Sequence, residues 1–164
     1  MSRRSWLQRL SALAFGPAAA TAAQAAADTP AATGATDWQR LPDEEWKRRL
    51  NRDQYRVLRR EGTEPAFSSA LNDEKRKGVF VCAGCAWPVF TSAMKYDSGT
   101  GWPSFFTTIP GAFGTSSDFR ILYPRIEYHC AKCGGHHGHV FDDGPRPTLQ
   151  RWCNNGVALR FIPA

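Results

Sequence analysis

Four of the five cysteines fall into two matched turns, "CAGC" (Cys82, Cys85) and "CAKC" (Cys130, Cys133). A Cys-x-x-Cys turn points two sulfurs inward from one tight loop. Two such turns can complete a tetrahedral S4 site, with Zn–S near 2.3 Å. Roughly 44 residues separate the pairs. The fold must therefore bring the turns together, and one structural zinc would clip two distant loops. Paired disulfides, or redox-active dithiols, are the competing chemistry, because disulfides persist outside the reducing cytosol.

The fifth cysteine, Cys153 in "QRWCNNG", has no partner in the pattern. A thiol is nucleophilic as its thiolate, and a cationic neighbour such as Arg151 raises the thiolate fraction. Asn155 lies two residues on, and "CGGHHGHVFDDG" upstream supplies His136, His137 and His139. Imidazole and amide groups can donate a proton or hydrogen bond to a substrate oxygen. The bland alternative for Cys153 is a small buried core residue. The histidines taken alone could equally be zinc ligands or core groups.

These groups need a frame. From Gly78 onward, "GVFVC", "FRILYPRIEYHC" and "VALRFIP" are β-branched and aromatic runs, punctuated by "SGTGWPSF", "IPGAFG" and "DDGPRP". They predict a mainly β, mostly antiparallel domain. Ahead of them, Pro42 and the acids Asp43, Glu44 and Glu45 mark a helix start. Trp46, Leu50, Val57 and Leu58 share one helical face, and Gly62 ends the run. A break near Asn51 would split this lead-in into two pieces.

The N-terminus carries an address. Arg3, Arg4 and Arg9 precede a short apolar run and "AAA" at Ala25–Ala27. This is the layout of an export signal over residues 1–27, and "SRRSWL" fits the twin-arginine pattern. Residues 28–37 read as a linker and 38–164 as the folded domain. The expected location is the periplasm. Loss of three Arg and no acid lowers the formal charge from +6 to +3. That mild charge gives no basic stripe for nucleic acid. No heptad or large apolar stripe suggests assembly, so a monomer is expected.

Taken in order, "TEPAF", "GVFVCAGC", "SGTGWPSF", "HCAKCGGHHGHVFDDG" and "RWCNNGVALRF" resemble the type B methionine-R-sulfoxide reductases over about residues 38–163. The resemblance implies two antiparallel β-sheets, one zinc on Cys82, Cys85, Cys130 and Cys133, and an oxidoreductase that repairs methionine-R-sulfoxide, free or in proteins. It implies Cys153 as nucleophile, passing through a sulfenic acid. His136, His139 and Asn155 would line the polar side, with Arg151 supporting the thiolate. Trp102 would hold the substrate methyl group and Phe161 would be a further apolar neighbour.

The sequence departs from that pattern at three places. Thr100 stands where many members carry a second, resolving cysteine, which implies a one-cysteine variant reduced by an external thiol or thioredoxin-like donor. Asn154 and His137 stand where apolar residues are usual, and either substrate contact or surface variation would account for them. A metal-knuckle binding module without chemistry, or a member that has lost activity, are the alternatives to the enzyme.

Overall fold

The computed structural model describes residues 36–120 and 123–164. The expected signal and nearly all of the linker lie outside the described residues.

The helical lead-in is two helices, α1 (Asp43–Arg49) and α2 (Arg52–Arg60). Acidic residues fill the first turn of α1 and basic ones its last turn, complementing the helix dipole. The break falls at Asn51. Its side chain accepts from Gln54 N at 2.8 Å, and Gln54 returns the bond to Asn51 N at 3.2 Å, a capping box that starts α2. Glu61, at φ 53°, takes the left-handed position that ends α2, one residue before the expected Gly62. Trp46, Leu50, Val57 and Leu58 are all buried.

Among the described residues, nine strands build two antiparallel sheets. The small sheet orders β2 (Pro88–Thr91), β1 (Gly78–Cys82) and β9 (Leu159–Pro163). The large sheet orders β3 (Lys95–Tyr96), β4 (Ser104–Phe105), β8 (Arg151–Asn154), β7 (His136–Phe141), β6 (Arg125–Cys130) and β5 (Phe113–Asp118). An aromatic core joins them. Phe80 of β1 meets Phe105 of β4 edge-on at 5.1 Å, and Phe90 of β2 stacks on Phe105 at 3.8 Å.

Two expected strands are shorter than their apolar runs. Among the described residues of "FRILYPRIEYHC", the strand is Arg125–Cys130, while Phe119 and Tyr123 are exposed. Asp118 turns the chain there by accepting from Arg120 N at 2.9 Å, and Pro124 has no N–H to give a ladder. In "VALRFIP", Gly156–Ala158 is a 3-10 turn and the strand begins at Leu159. The buried carboxylate of Glu64 takes the turn's first N–H groups, from Gly156 at 2.5 Å and Val157 at 2.9 Å.

The β6–β7 pairing contains a bulge. Tyr128 pairs with Gly138, but His129 pairs with His136, leaving His137 as the extra residue.

Candidate active site and metal centre

The four paired cysteines converge. Cys82 and Cys85 close the end of β1 and its turn, and Cys130 and Cys133 close the end of β6 and its turn. All four are buried, and their sulfurs lie within 4.8 Å of one another. Cys82 and Cys133 sulfurs are 3.7 Å apart, and those of Cys85 and Cys130 are 3.6 Å apart. A disulfide needs about 2.05 Å. A tetrahedron with Zn–S near 2.3 Å has edges of about 3.8 Å. The separations fit four sulfurs around one metal ion and exclude disulfides in this arrangement.

The register of the large sheet builds the second site. Ser104, Cys153, His139, Glu127 and Ser116 lie opposite one another on successive strands, in one row on one face. A cleft of about 130 Å³ opens over the centre of this row, lined by Trp102, Arg125, His139, Phe141, Cys153 and Asn155 among others. Trp102 and Phe141 form apolar walls, and His139 and Arg125 stand on the polar side. The cleft is far smaller than the roughly 300–1,000 Å³ typical of drug-sized pockets. It suits the end of one side chain.

Electrostatics divide the site. Burial pushes the Cys153 thiol up from its ordinary value, while the Arg151 charge and hydrogen bonds from Thr100 and Arg151 pull it back. Arg151 is held by a two-pronged bond to Asp143, Nε to Oδ1 at 2.7 Å and Nη2 to Oδ2 at 2.9 Å, with its guanidinium 4.2 Å from the Phe141 ring centre. Behind the thiol, Thr100, Ser98 and Ser104 share a hydroxyl chain, with links of 2.8 and 2.7 Å.

His139 Nε2 is 2.8 Å from Asp118 Oδ2. The Arg120 backbone N–H, His139 and Arg125 together hold the Asp118 carboxyl well below the usual carboxylate range. An ionised carboxylate only accepts, so Nε2 carries the proton and Nδ1 is the remaining ring atom for exchange. Burial lowers the His139 pKa, and Asp118 opposes that shift.

Comparison with known proteins places this geometry. A family model described as the SelR domain matches residues 50–163. The peptide methionine sulfoxide reductase MsrB of Leptospira interrogans is 49% identical over 120 residues, covering 73% of this chain and 92% of the relative. Its counterpart in Hahella chejuensis is 49% identical over 123 residues, covering 74% and 88%. The chloroplastic peptide methionine sulfoxide reductase B1 of Oryza sativa is 47% identical over 122 residues, covering 74% of this chain and 57% of the relative. This chain is a type B methionine-R-sulfoxide reductase by family.

As a reductase of this family, the protein can be compared residue by residue with the sequence reading. Cys153, His139, Asn155 and Trp102 meet at the cleft. Asn155 faces inward: its Oδ1 accepts from Glu64 N and its Nδ2 donates to His137 O, both at 2.9 Å. His136 does not line the cleft. It is buried beside it, with Nδ1 at 2.6 Å from Glu127 Oε1 and its ring centre 5.5 Å from that of His139. Arg151 likewise does not line the cleft; it is bonded to Asp143.

Phe161 lies elsewhere. It sits on β9 against Phe80 at 4.9 Å, under the backbone of Gly78, and Phe141 takes the apolar place in the cleft. His137 and Asn154 are fully buried, which rules out surface variation. They bond each other, His137 Nδ1 to Asn154 Oδ1 at 3.1 Å, and Tyr128 Oη donates to the same oxygen at 2.9 Å.

The sequence reading missed Glu64, Asp118, Arg125, Glu127 and Phe141. "HVFDDG" contained Phe141 in plain view. Glu64 sits within "TEPAF", where nothing local marks its carboxylate as buried. It also links both sides of the cleft, since its carbonyl accepts from Trp102 Nε1 at 3.1 Å while its N–H binds Asn155.

Proposed function

We propose that Cys153 reduces methionine-R-sulfoxide by direct attack on the sulfoxide sulfur. The observation that carries this reading is the position of Cys153: a thiol outside the metal tetrad, at the cleft, between the Trp102 and Phe141 walls and the His139–Asp118 pair. The substrate methyl group packs on Trp102. The sulfoxide oxygen faces His139 and Arg125. A sulfoxide is a poor electrophile until its oxygen is protonated, and acid assistance is typically worth about 10²–10⁴-fold.

The electron count closes in two stages. The Cys153 sulfur gives two electrons to the sulfoxide sulfur and takes its oxygen, with a proton, to become Cys–SOH; methionine leaves. A first external thiol then attacks Cys–SOH, releasing water and leaving a mixed disulfide. A second thiol releases the oxidised donor and restores the Cys153 thiol. The donor is an external thiol or thioredoxin-like protein, because the other four cysteines are buried in the tetrad and Thr100 occupies the loop beside Cys153.

The tetrad holds one zinc ion, whose chemistry here is to tie the two turns together; with four sulfurs it keeps no open position for substrate. The repair enzyme works as a monomer in the periplasm, exported on residues 1–27; the mass of the mature chain from a periplasmic fraction tests that placement.

The activity test offers separated R and S epimers of blocked methionine sulfoxide to the mature protein with dithiothreitol, alongside Cys153→Ser. Turnover of R alone, lost in the variant with fold and metal content unchanged, is the expected result. No turnover of either epimer by a folded, metal-loaded protein would leave a knuckle module without chemistry.

A further inference from the structure

Phe67 is 75% exposed and sits at φ 65°, a conformation that bulky side chains rarely adopt. Its packing does not explain this, because three-quarters of the residue faces water. The backbone is built to keep it there. Phe67 N donates to Gly101 O at 2.7 Å, and Gly101 itself is at φ 90°. A Cβ on Gly101 would come within 2.9 Å of the Phe67 ring. Two unusual conformations therefore face each other to lay one aromatic ring on the surface beside Trp102. Strain kept at an exposed side chain points to a use for that side chain.

Trp102 is the link to the cleft. Its indole N–H is fixed on Glu64 O, and the residue lines both the Cys153 cleft and a separate groove of about 240 Å³ that includes Phe67, Ser69, Asn72 and Gly101. The cleft has room for the end of one side chain. When that side chain belongs to a polypeptide, the flanking residues lie outside it. An extended chain advances about 3.3–3.6 Å per residue, and the groove that shares Trp102 with the cleft is a place where a flanking residue can lie.

We propose that this groove is a subsite for the residue flanking methionine sulfoxide in a polypeptide, with the Phe67 ring as its recognition surface for an apolar side chain. The inference rests on the Cys153 reading above. Ser69, Asn72, Asp73 and Asp97 make the rest of the groove polar and acidic, which disfavours an acidic flank and leaves Phe67 and Trp102 as its apolar residues. Contact with a flanking residue is remote from the reacting sulfur. It is the same in ground and transition states, so it acts through KM rather than kcat.

The test compares three R-sulfoxide substrates: the blocked amino acid, a blocked Gly-Met(O)-Gly tripeptide and a blocked Leu-Met(O)-Leu tripeptide. The expected wild-type order is leucine peptide first, by about 10-fold in kcat/KM over the glycine peptide, carried by KM. Phe67→Gly should erase that ratio while Tm is held or raised, because glycine accepts the left-handed position without strain. Equal kcat/KM for the two peptides in the wild type, a preference that survives Phe67→Gly, or a stronger preference for lysine flanks would each overturn the subsite. Failure of the wild type on all three substrates would instead overturn the Cys153 reading on which it rests.

Discussion

Replacing His137 by leucine should stabilise the protein, and most strongly on the acid side of neutrality. His137 is fully buried, its Nδ1 bonds Asn154 Oδ1, and its Nε2 is buried without a protein partner. An orphaned buried polar atom costs about 1–3 kcal/mol. Leucine removes that cost and strands nothing, since Asn154 Oδ1 keeps the Tyr128 hydroxyl at 2.9 Å. Burial also lowers the His137 pKa from 6.5 to about 4. Between those values the unfolded chain binds the proton and the folded chain does not. Stability is therefore lost as pH falls from 6.5 through 4, by about 3 kcal/mol in all.

Asn154→Val should do the opposite, because it strands both the Tyr128 hydroxyl and His137 Nδ1, at about 2–5 kcal/mol together. The double variant strands only Tyr128, so it should be more stable than Asn154→Val alone. The assay is denaturant unfolding of metal-loaded protein, followed by tryptophan fluorescence at pH 8, 6.5 and 5. Leucine at 137 should raise stability by about 1 kcal/mol at pH 8 and flatten the acid slope. Destabilisation at pH 8, or a slope as steep as wild type, would refute the reasoning and mean that Nε2 has a partner or carries charge in the fold.

Arg151→Gln removes the cation that opposes burial at Cys153, so the thiolate limb of kcat/KM should move to higher pH; a pH–rate profile that stays in place would separate Arg151 from the thiol. Glu64→Gln replaces a buried carboxylate that accepts two backbone N–H groups, and should lower stability by about 2 kcal/mol, since bonds to charged groups are worth about 1.5–3. The backbone groups of Glu64 that tie Trp102 to Asn155 are unchanged, so KM on the R epimer should stay near wild type in the folded fraction, measured by steady-state kinetics. Metal analysis should find one zinc per chain, and a strong chelator should lower Tm; a protein that keeps its Tm without zinc would remove the clip from the account.

Much of the chemistry was legible because it is carried by residue type and local spacing. Two Cys-x-x-Cys turns can complete an S4 site wherever they sit in the chain, and the sulfur separations then decided against disulfides. The capping pattern at Asn51 and Gln54 is local, so the split helix could be anticipated. Cys153 and Arg151 are two apart on one strand, so they share a face. Phe161 was misplaced for the converse reason. It follows Cys153 closely in sequence, but the 3-10 turn at Gly156–Ala158 sends it to the other sheet.

The run "HHGHVF" shows the limit most clearly. Strict alternation would put His136 with Gly138 and Val140, on the face opposite His139. The bulge at His137 breaks that alternation. It turns His136 toward Glu127 and His139, and sends His137 into the core against Asn154 and Tyr128. A bulge depends on how the neighbouring strand pairs, so β6 and β7, although joined by a short turn, settle their register only in the folded sheet. The sequence by itself determined the ligand set, the lone thiol and the strand-forming segments, because each depends on residues within a few positions. Tertiary structure alone decided which histidine faces the thiol and that Glu64 joins the aromatic wall to Asn155. It also joined Asp118 to His139. The Glu64 and Asp118 contacts span 21 residues or more, and His139 meets Cys153 only through the β7–β8 register.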